Sequence, residues 1–308
     1  MTVSDTCGPP TISVVIPSYN YAATLARAAQ SVLLQLDSAS ELLIIDDGSV
    51  DDTPAVIDAL MLDYPGQFRA IRKKNGGAAS ARNLGIQESL GTWLIFLDAD
   101  DQMEARALKQ LQAHIVANPE SRMVIGGHTA IFEDGHRRQH PADVIPNVPI
   151  DRVKAYLIDK RLAVSNGACA MHREVFFAGN YPEHFRISED IPVFSQVFAC
   201  YPISRLDAVL ALIYKHDDSL RHHLGYGQSV GTLLVDEVFS RLPADMQKLK
   251  KDFYIQRCLS LFRSAYRAGH RGAALFFFKE AYRNDWRVIL KFSYSRKLMS
   301  MMLSGKRE

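Results

Sequence analysis

Short apolar, β-branched runs alternate with stretches of helical spacing from Thr11 to Gly126, and no other feature constrains the fold of this chain as tightly. Strands are expected at Thr11–Pro17, Leu42–Asp46, Phe68–Arg72, Thr92–Leu97 and Met123–Gly126, with helices between them at Ala22–Leu36, Pro54–Leu62, Ala78–Glu88 and Glu104–Ala117. Alternation of this kind predicts an α/β fold, a mostly parallel sheet flanked by helices and joined by right-handed crossovers. Ligands of such sheets sit outside the carboxyl ends of the strands, near the switch in strand order.

Two expected strands deliver acids to that end. Trp93 to Leu97 runs into Asp98-Ala99-Asp100-Asp101, and Leu42 to Ile45 runs into Asp46-Asp47-Gly48-Ser49. Carboxylate oxygens are hard ligands that suit Mg²⁺ or Mn²⁺, and these metals share their coordination between one or two carboxylates and substrate phosphates. The expected substrate is therefore a nucleotide diphosphate. A plainer reading stands beside it: Asp98, Asp100 and Asp101 form a solvated turn ahead of the helix near Met103, and Thr53-Pro54 is the start of a helix. That reading leaves Asp46 and Asp47 unexplained.

The segment after the first strand disfavours several enzyme classes. Pro17-Ser18-Tyr19-Asn20-Tyr21 stands where a dinucleotide enzyme carries G-x-G-x-x-G, and G-x-x-x-x-G-K-[ST] is absent. Without a glycine cradle, a metal on the D-x-D group would hold the phosphates and stabilise a departing diphosphate as a Lewis acid.

The chain has 308 residues, 47% of them hydrophobic, enough for a full core. Met1 to Pro10 has neither the basic cluster nor the apolar core of a secretory signal, and no apolar run approaches the length of about 18 residues expected of a spanning helix. Cys7, Cys169, Cys200 and Cys258 lack C-x-x-C spacing, which fits a reducing cytoplasm better than a zinc site or disulfide framework. Net charge is +2, but residues 230–308 carry 16 Lys+Arg against 7 Asp+Glu, leaving 20 against 27 in the rest. The chain is accordingly divided into 1–229, which holds the acidic strand ends, and a helical, basic region 230–308. That basic end suits peripheral contact with anionic lipid or an acidic acceptor, or is simply a solvated helical surface.

Beyond Gly127 a polar stretch, Glu133 to Asp143, and Pro141, Pro146 and Pro149 predict a surface loop. Ser165–Arg173 and Ile203–Tyr214 read as further strands, and Pro182–Pro192 as a loop entering a helix. After Gly231 two stripes have helical spacing: Ile255, Leu259, Phe262 and Tyr266, then Trp286, Leu290, Tyr294, Leu298 and Met301. Core packing is expected of both.

Five pieces in order resemble the family 2 glycosyltransferases, which have the Rossmann-like GT-A fold. They are Val14-Val15-Ile16-Pro17-Ser18-Tyr19-Asn20, Asp46-Asp47-Gly48-Ser49-Val50-Asp51-Asp52-Thr53, Asn75-Gly76-Gly77 with Ala81-Arg82-Asn83-Leu84-Gly85, Asp98-Ala99-Asp100, and Glu189-Asp190. The match covers roughly Ile12 to Ser219. The resemblance implies that Pro17, Tyr19, Asn20, Asp46, Asp47, Asn75 and Arg82 line the nucleotide pocket, with Asp98 and Ala99 near the ribose or sugar. It implies that Asp100, with Asp98, ligates Mn²⁺ or Mg²⁺, and that Asp190 of the Glu189-Asp190 pair is the catalytic base. His216 lies where related enzymes carry an imidazole near the diphosphate; it is a third candidate ligand, with Arg221, His222 and His223 as a lid.

The expected reaction is inverting transfer of a sugar from a nucleotide diphosphate-sugar, UDP- or dTDP-linked, to a hydroxyl of an oligosaccharide or lipid-linked glycan. By the same analogy its setting is envelope polysaccharide assembly of the lipopolysaccharide, O-antigen or exopolysaccharide kind, on the cytoplasmic side of the membrane. Nucleic acid is not an expected partner. The alternatives are a sugar nucleotidyltransferase, though Ser18 to Ala23 lacks its glycine-rich basic loop, and a non-catalytic nucleotide-sugar scaffold.

Overall fold

A computed structural model describes residues 11–215 and 227–304. The first half alternates as expected: β1 (Ile12–Ser18), α1 (Leu25–Leu33), β2 (Ser40–Asp46), α2 (Thr53–Asp63), β3 (Arg69–Arg72), α3 (Ala78–Glu88) and β4 (Trp93–Phe96). Then come β5 (Gln102–Met103), α4 (Ala107–Ala117), β6 (Met123–Ile131), β7 (Arg137–His140), α5 (Pro149–Lys154), β8 (Cys169–His172), α6 (Asp190–Cys200) and β9 (Ile203–Tyr214). Among the described residues four more helices follow: α7 (Gly227–Ser240), α8 (Lys250–Arg267), α9 (Arg271–Asn284) and α10 (Phe292–Ser304).

Among the described residues nine strands form one sheet, ordered β3-β2-β1-β4-β8-β6-β9-β5, with β7 beside the second half of β6. β3, β2, β1 and β4 run parallel, as do β6 and β9; β8, β5 and β7 run against them. Every residue of β1 is buried, as a strand covered on both faces must be, which is why it reads as one apolar run. Its side chains alternate between two cores. Ile12, Val14 and Ile16 face α1, which buries Leu25, Ala28, Ala29, Val32 and Leu33 as one stripe, while Val15 faces the layer that holds α3 and α6. Gly85 lets α3 lie directly on Val15, where any Cβ would collide with the valine methyls.

Several boundaries differ from expectation. β5 forms where the helix was expected to begin, because Gln102 and Met103 pair with Leu212 and Ala211. The expected surface loop contains β7, whose polar Arg137–His140 suits an edge strand. Only Cys169–His172 of the 165–173 run is strand; Asn166–Ala168 is a 3-10 turn. The larger correction concerns the second C-terminal stripe. Trp286 and Leu290 are 62% and 70% exposed, not packed, because a separate 3-10 turn, Trp286–Leu290, interrupts the periodicity before α10. Met301 is buried, and Tyr294 and Leu298 pack beside it, as expected.

The described residues of the C-terminal region divide between two cores. Leu234, Val235, Val238, Phe239 and Phe253 pack with the sheet core, whereas Ile255, Leu259 and Phe262 begin a separate core shared by α8, α9 and α10. α8 belongs to both. No helix among the described residues is long and apolar enough to cross a membrane.

Candidate active site

Strand order reverses at β1, which has β2 on one side and β4 on the other. The β1–β2 ladder runs on to Ser18 and Asp46, but the β1–β4 ladder stops at Val15 and Phe96, with a last bond of 3.0 Å from Leu97 N to Val15 O. Pro17 lies beyond that stop, where its missing N–H costs β4 nothing. The carboxyl ends on either side of this break carry the acidic groups.

Asp46 and Asp47 are 1% and 2% exposed, and both are engaged. Asp46 Oδ1 accepts from Ser49 N at 2.9 Å, and its other oxygen lies 3.3 Å from Arg72 Nε. Asp47 accepts from Lys73 Nζ at 2.6 Å, Gly76 N at 2.9 Å and Gly77 N at 2.6 Å, so it fastens the loop that opens α3. Gly48 makes this possible: at φ +76° its Cα faces the 73–75 backbone, and a Cβ would lie 2.9 Å from Asn75 N and Lys73 O. Asn20, also left-handed at φ 60°, accepts from Val50 N and donates its own N–H to Ser49 Oγ, each at 2.9 Å. Tyr19 and Asn75 are exposed at the mouth.

The D-x-D-D turn is pinned from two sides. Asp101 Oδ1 accepts from Tyr214 N of β9 at 2.9 Å, and Arg27 of α1 donates to Asp100 O at 2.6 Å while its guanidinium lies 3.7 Å from the Tyr214 ring centre. Asp98 keeps 41% of its side chain exposed, whereas Ala99 is 1% exposed and packs in the core beneath. Burial, and then the charges of Asp98 and Asp100, push the Asp101 carboxyl up to about 8. Burial and the same acids hold the Tyr21 phenol far above its usual range.

Arg82, 5% exposed on α3, joins the two acidic ends of the site: Nη2 donates to Asp98 at 3.0 Å and Nη1 to Glu189 at 2.5 Å. Burial works against its charge, but Asp98 and Glu189 more than offset that, and Tyr181 lies 5.5 Å from the guanidinium. Glu189 is itself buried, directly after Ser188 at φ 64°, and Asp190 opens α6 half-buried, where the helix N-terminus favours its negative charge. The charge of Asp190 reaches Arg82, Lys160 and Arg257. Lys160 closes a π-helical turn, Ala155–Asp159, in the left-handed region, and Arg257 comes from α8.

The structure thus brings Asp98, Arg82, Glu189 and Asp190 into one electrostatic group, with Asp47 at the opening of the same helix that carries Arg82. His216, His222 and His223 lie outside the described residues. Arg27, Lys73, Tyr181, Lys160 and Arg257 were not singled out from sequence. Arg27 meets Asp100 across 73 positions and Arg257 comes from the helical end, so no local spacing marks either.

Among the described residues no three His, Cys, Asp or Glu side chains form a cluster able to hold a metal alone. Asp98 and Asp100 offer two carboxylates, a set that suits a hard cation completing its shell with phosphate oxygens. The crowding that raises Asp101 is negative charge such a cation would offset.

An open sheet with acidic strand ends at its switch point, faced by a carboxylate-bearing helix start, is the GT-A architecture of sugar-transferring enzymes. The chain belongs to glycosyl transferase family 2, which it matches over residues 13–177. It is 25% identical over 250 residues to the succinoglycan biosynthesis protein ExoO of Rhizobium meliloti, covering 79% of this chain and 69% of that one. The poly(ribitol-phosphate) β-N-acetylglucosaminyltransferase TarP of Staphylococcus aureus is 33% identical over 150 residues, 44% of each chain. An uncharacterised glycosyltransferase of Nostoc is 41% identical over 100 residues, and the chain spans 31% of its length, well under two thirds. In fold, the S. aureus TarS 1–349 structure in complex with UDP-GlcNAc superposes with a TM-score of 0.66 at 16% identity, covering 89% of this chain and 81% of that one. The Pyrobaculum calidifontis mannosyltransferase PcManGT with GDP-Man and Mn²⁺ gives 0.56 at 16% identity, over 96% and 84%. The family is therefore glycosyltransferase, with relatives in polysaccharide biosynthesis.

Proposed function

We propose that the protein is a divalent-cation-dependent, inverting glycosyltransferase that moves one sugar from a UDP- or dTDP-sugar to a hydroxyl of an oligosaccharide or lipid-linked glycan in envelope polysaccharide assembly. One observation carries the reading: Arg82 ties the D-x-D turn to the Glu189-Asp190 start of α6 by hydrogen bonds of 3.0 and 2.5 Å. On this reading the diphosphate end of the donor and the acceptor-side base stand on either side of that guanidinium.

The chain's own groups divide the work. Pro17, Asn20, Asp46, Asp47 and Lys73 shape the nucleotide pocket, with Tyr19 and Asn75 at its rim. Asp98 and Asp100 are the residues that would hold Mn²⁺ or Mg²⁺, which when bound supplies Lewis-acid stabilisation of the diphosphate leaving group. Asp190 accepts the proton of the acceptor hydroxyl while that oxygen bonds to the anomeric carbon and the carbon–oxygen bond to the diphosphate breaks. A sugar hydroxyl is a weak nucleophile without such a base. Glu189, held by Arg82 through Oε1, positions Asp190. The complexes of TarS with UDP-GlcNAc and of PcManGT with GDP-Man and Mn²⁺ support a nucleotide-sugar donor and a divalent cation.

The test is nucleotide diphosphate release from UDP-, dTDP- and GDP-sugars with Mn²⁺. Asp190→Asn loses turnover, by a factor of about 10² to 10⁴ for a general base, and keeps donor affinity. Asp100→Ala weakens cation-dependent donor binding. Pyrophosphate exchange with nucleoside triphosphate would replace the reading with a nucleotidyltransferase, and donor binding without release in the presence of acceptor glycans with a scaffold.

A further inference from the structure

Between α9 and α10 the chain exposes an apolar ridge that sugar transfer does not use. Trp286, Leu290 and Phe292 are 62%, 70% and 74% exposed, and Ile289 is 46% exposed, while Val288 is buried and anchors the turn. Residues three apart eclipse in a 3-10 helix, so Trp286 and Ile289 share one line; Leu290 adds to the exposed apolar surface, and exposed Phe292 follows at the start of α10. Single exposed apolar residues need no explanation; four within seven positions form a patch.

The sequence on both sides of the ridge carries net positive charge. From 279 to 297 the chain carries Lys279, Arg283, Arg287, Lys291, Arg296 and Lys297 against Glu280 and Asp285, and both acids are already paired, with Arg283 at 2.5 Å and Arg287 at 2.8 Å. Aromatic and aliphatic groups with a polar or cationic collar match a bilayer interface, where rings settle at the boundary of headgroups and acyl chains and Lys and Arg reach the lipid phosphates. A second copy fits less well, since a two-fold pairing would set this positive collar against itself.

We propose that the ridge Trp286–Phe292 docks this protein in the plane of an anionic lipid surface, independently of which sugar it transfers. Attachment is interfacial, as no helix among the described residues is long and apolar enough to cross.

The chain supplies its own reporter. It has two tryptophans, Trp93 at 3% exposure and Trp286 at 62%, so emission that changes on adding lipid comes from the ridge. Full-length protein is mixed with vesicles of phosphatidylcholine alone or with one third phosphatidylglycerol, then sedimented. Expected are a blue shift and co-sedimentation with the anionic vesicles only, weakened by salt. Leu290→Ser/Phe292→Ser, changing two exposed side chains, should keep the circular dichroism spectrum and lose about tenfold or more in partitioning. Lys291→Glu/Arg296→Glu should lose a comparable amount. Failure to bind anionic vesicles, or binding that ignores both double variants, overturns the proposal. A lipid-free dimer that Leu290→Ser/Phe292→Ser dissolves would give the ridge to a second copy instead.

Discussion

Arg82 shows how much one residue of this site carries. Its planar fork bonds Glu189 on one nitrogen and Asp98 on another, from a position 5% exposed. Lysine delivers a point charge from a flexible stem and cannot serve both acids in that geometry. Arg82→Ala is expected to cost about 3–5 kcal/mol in chemical denaturation, because it leaves buried Glu189 without its counter-charge. Arg82→Lys should recover part of that stability while diphosphate release stays low, separating the fold's need for charge from the site's need for a fork. The D-x-D acids stood out in the sequence because they end an apolar run, whereas Glu189-Asp190, in a polar loop, stood out only through the family resemblance. The bond between Arg82 and Glu189 was not, since 107 positions separate the partners and nothing local marks them.

Among the elements, β1, β2 and β4 followed directly from alternation, because parallel strands buried on both faces are apolar nearly throughout. The β6–β7 hairpin did not: a four-residue polar edge strand has the composition of a loop. That hairpin holds a stacked pair, His128 on His140 with ring centres 4.8 Å apart. Burial, then the charge of His140, with Lys215 adding and Asp143 opposing, pushes the His128 imidazole down to about 4. The folded state therefore keeps His128 neutral while the unfolded chain takes up a proton near 6.5. Its contribution to stability is whole above about pH 6.5 and is lost as pH falls from there through 4. Thermal unfolding at pH 7 and pH 5 should show a larger drop for the wild type than for His128→Gln.

At the scale of the whole molecule, the basic helical end is partly a wall of the sheet's core. Leu234, Val235, Val238 and Phe239 are 0–3% exposed against it. A chain ending at Ser229 should therefore lose its cooperative thermal transition and its near-ultraviolet circular dichroism, where a dispensable tail would leave both intact. Charge asymmetry marked this region in the sequence, but its division between two cores depends on which face each helix turns inward, and composition does not encode that. α8 spans the division as a single rod of 18 residues, about 27 Å long. Phe253, near its start, is set in the sheet's core, Arg257 one turn on feels the charge of Asp190, and the remainder anchors the helical cap that bears Trp286. The proposed base, Asp190, and the ridge proposed to meet lipid are thereby linked through one helix, so on these proposals a tilt imposed at the far end of α8 would reach the acceptor side of the site.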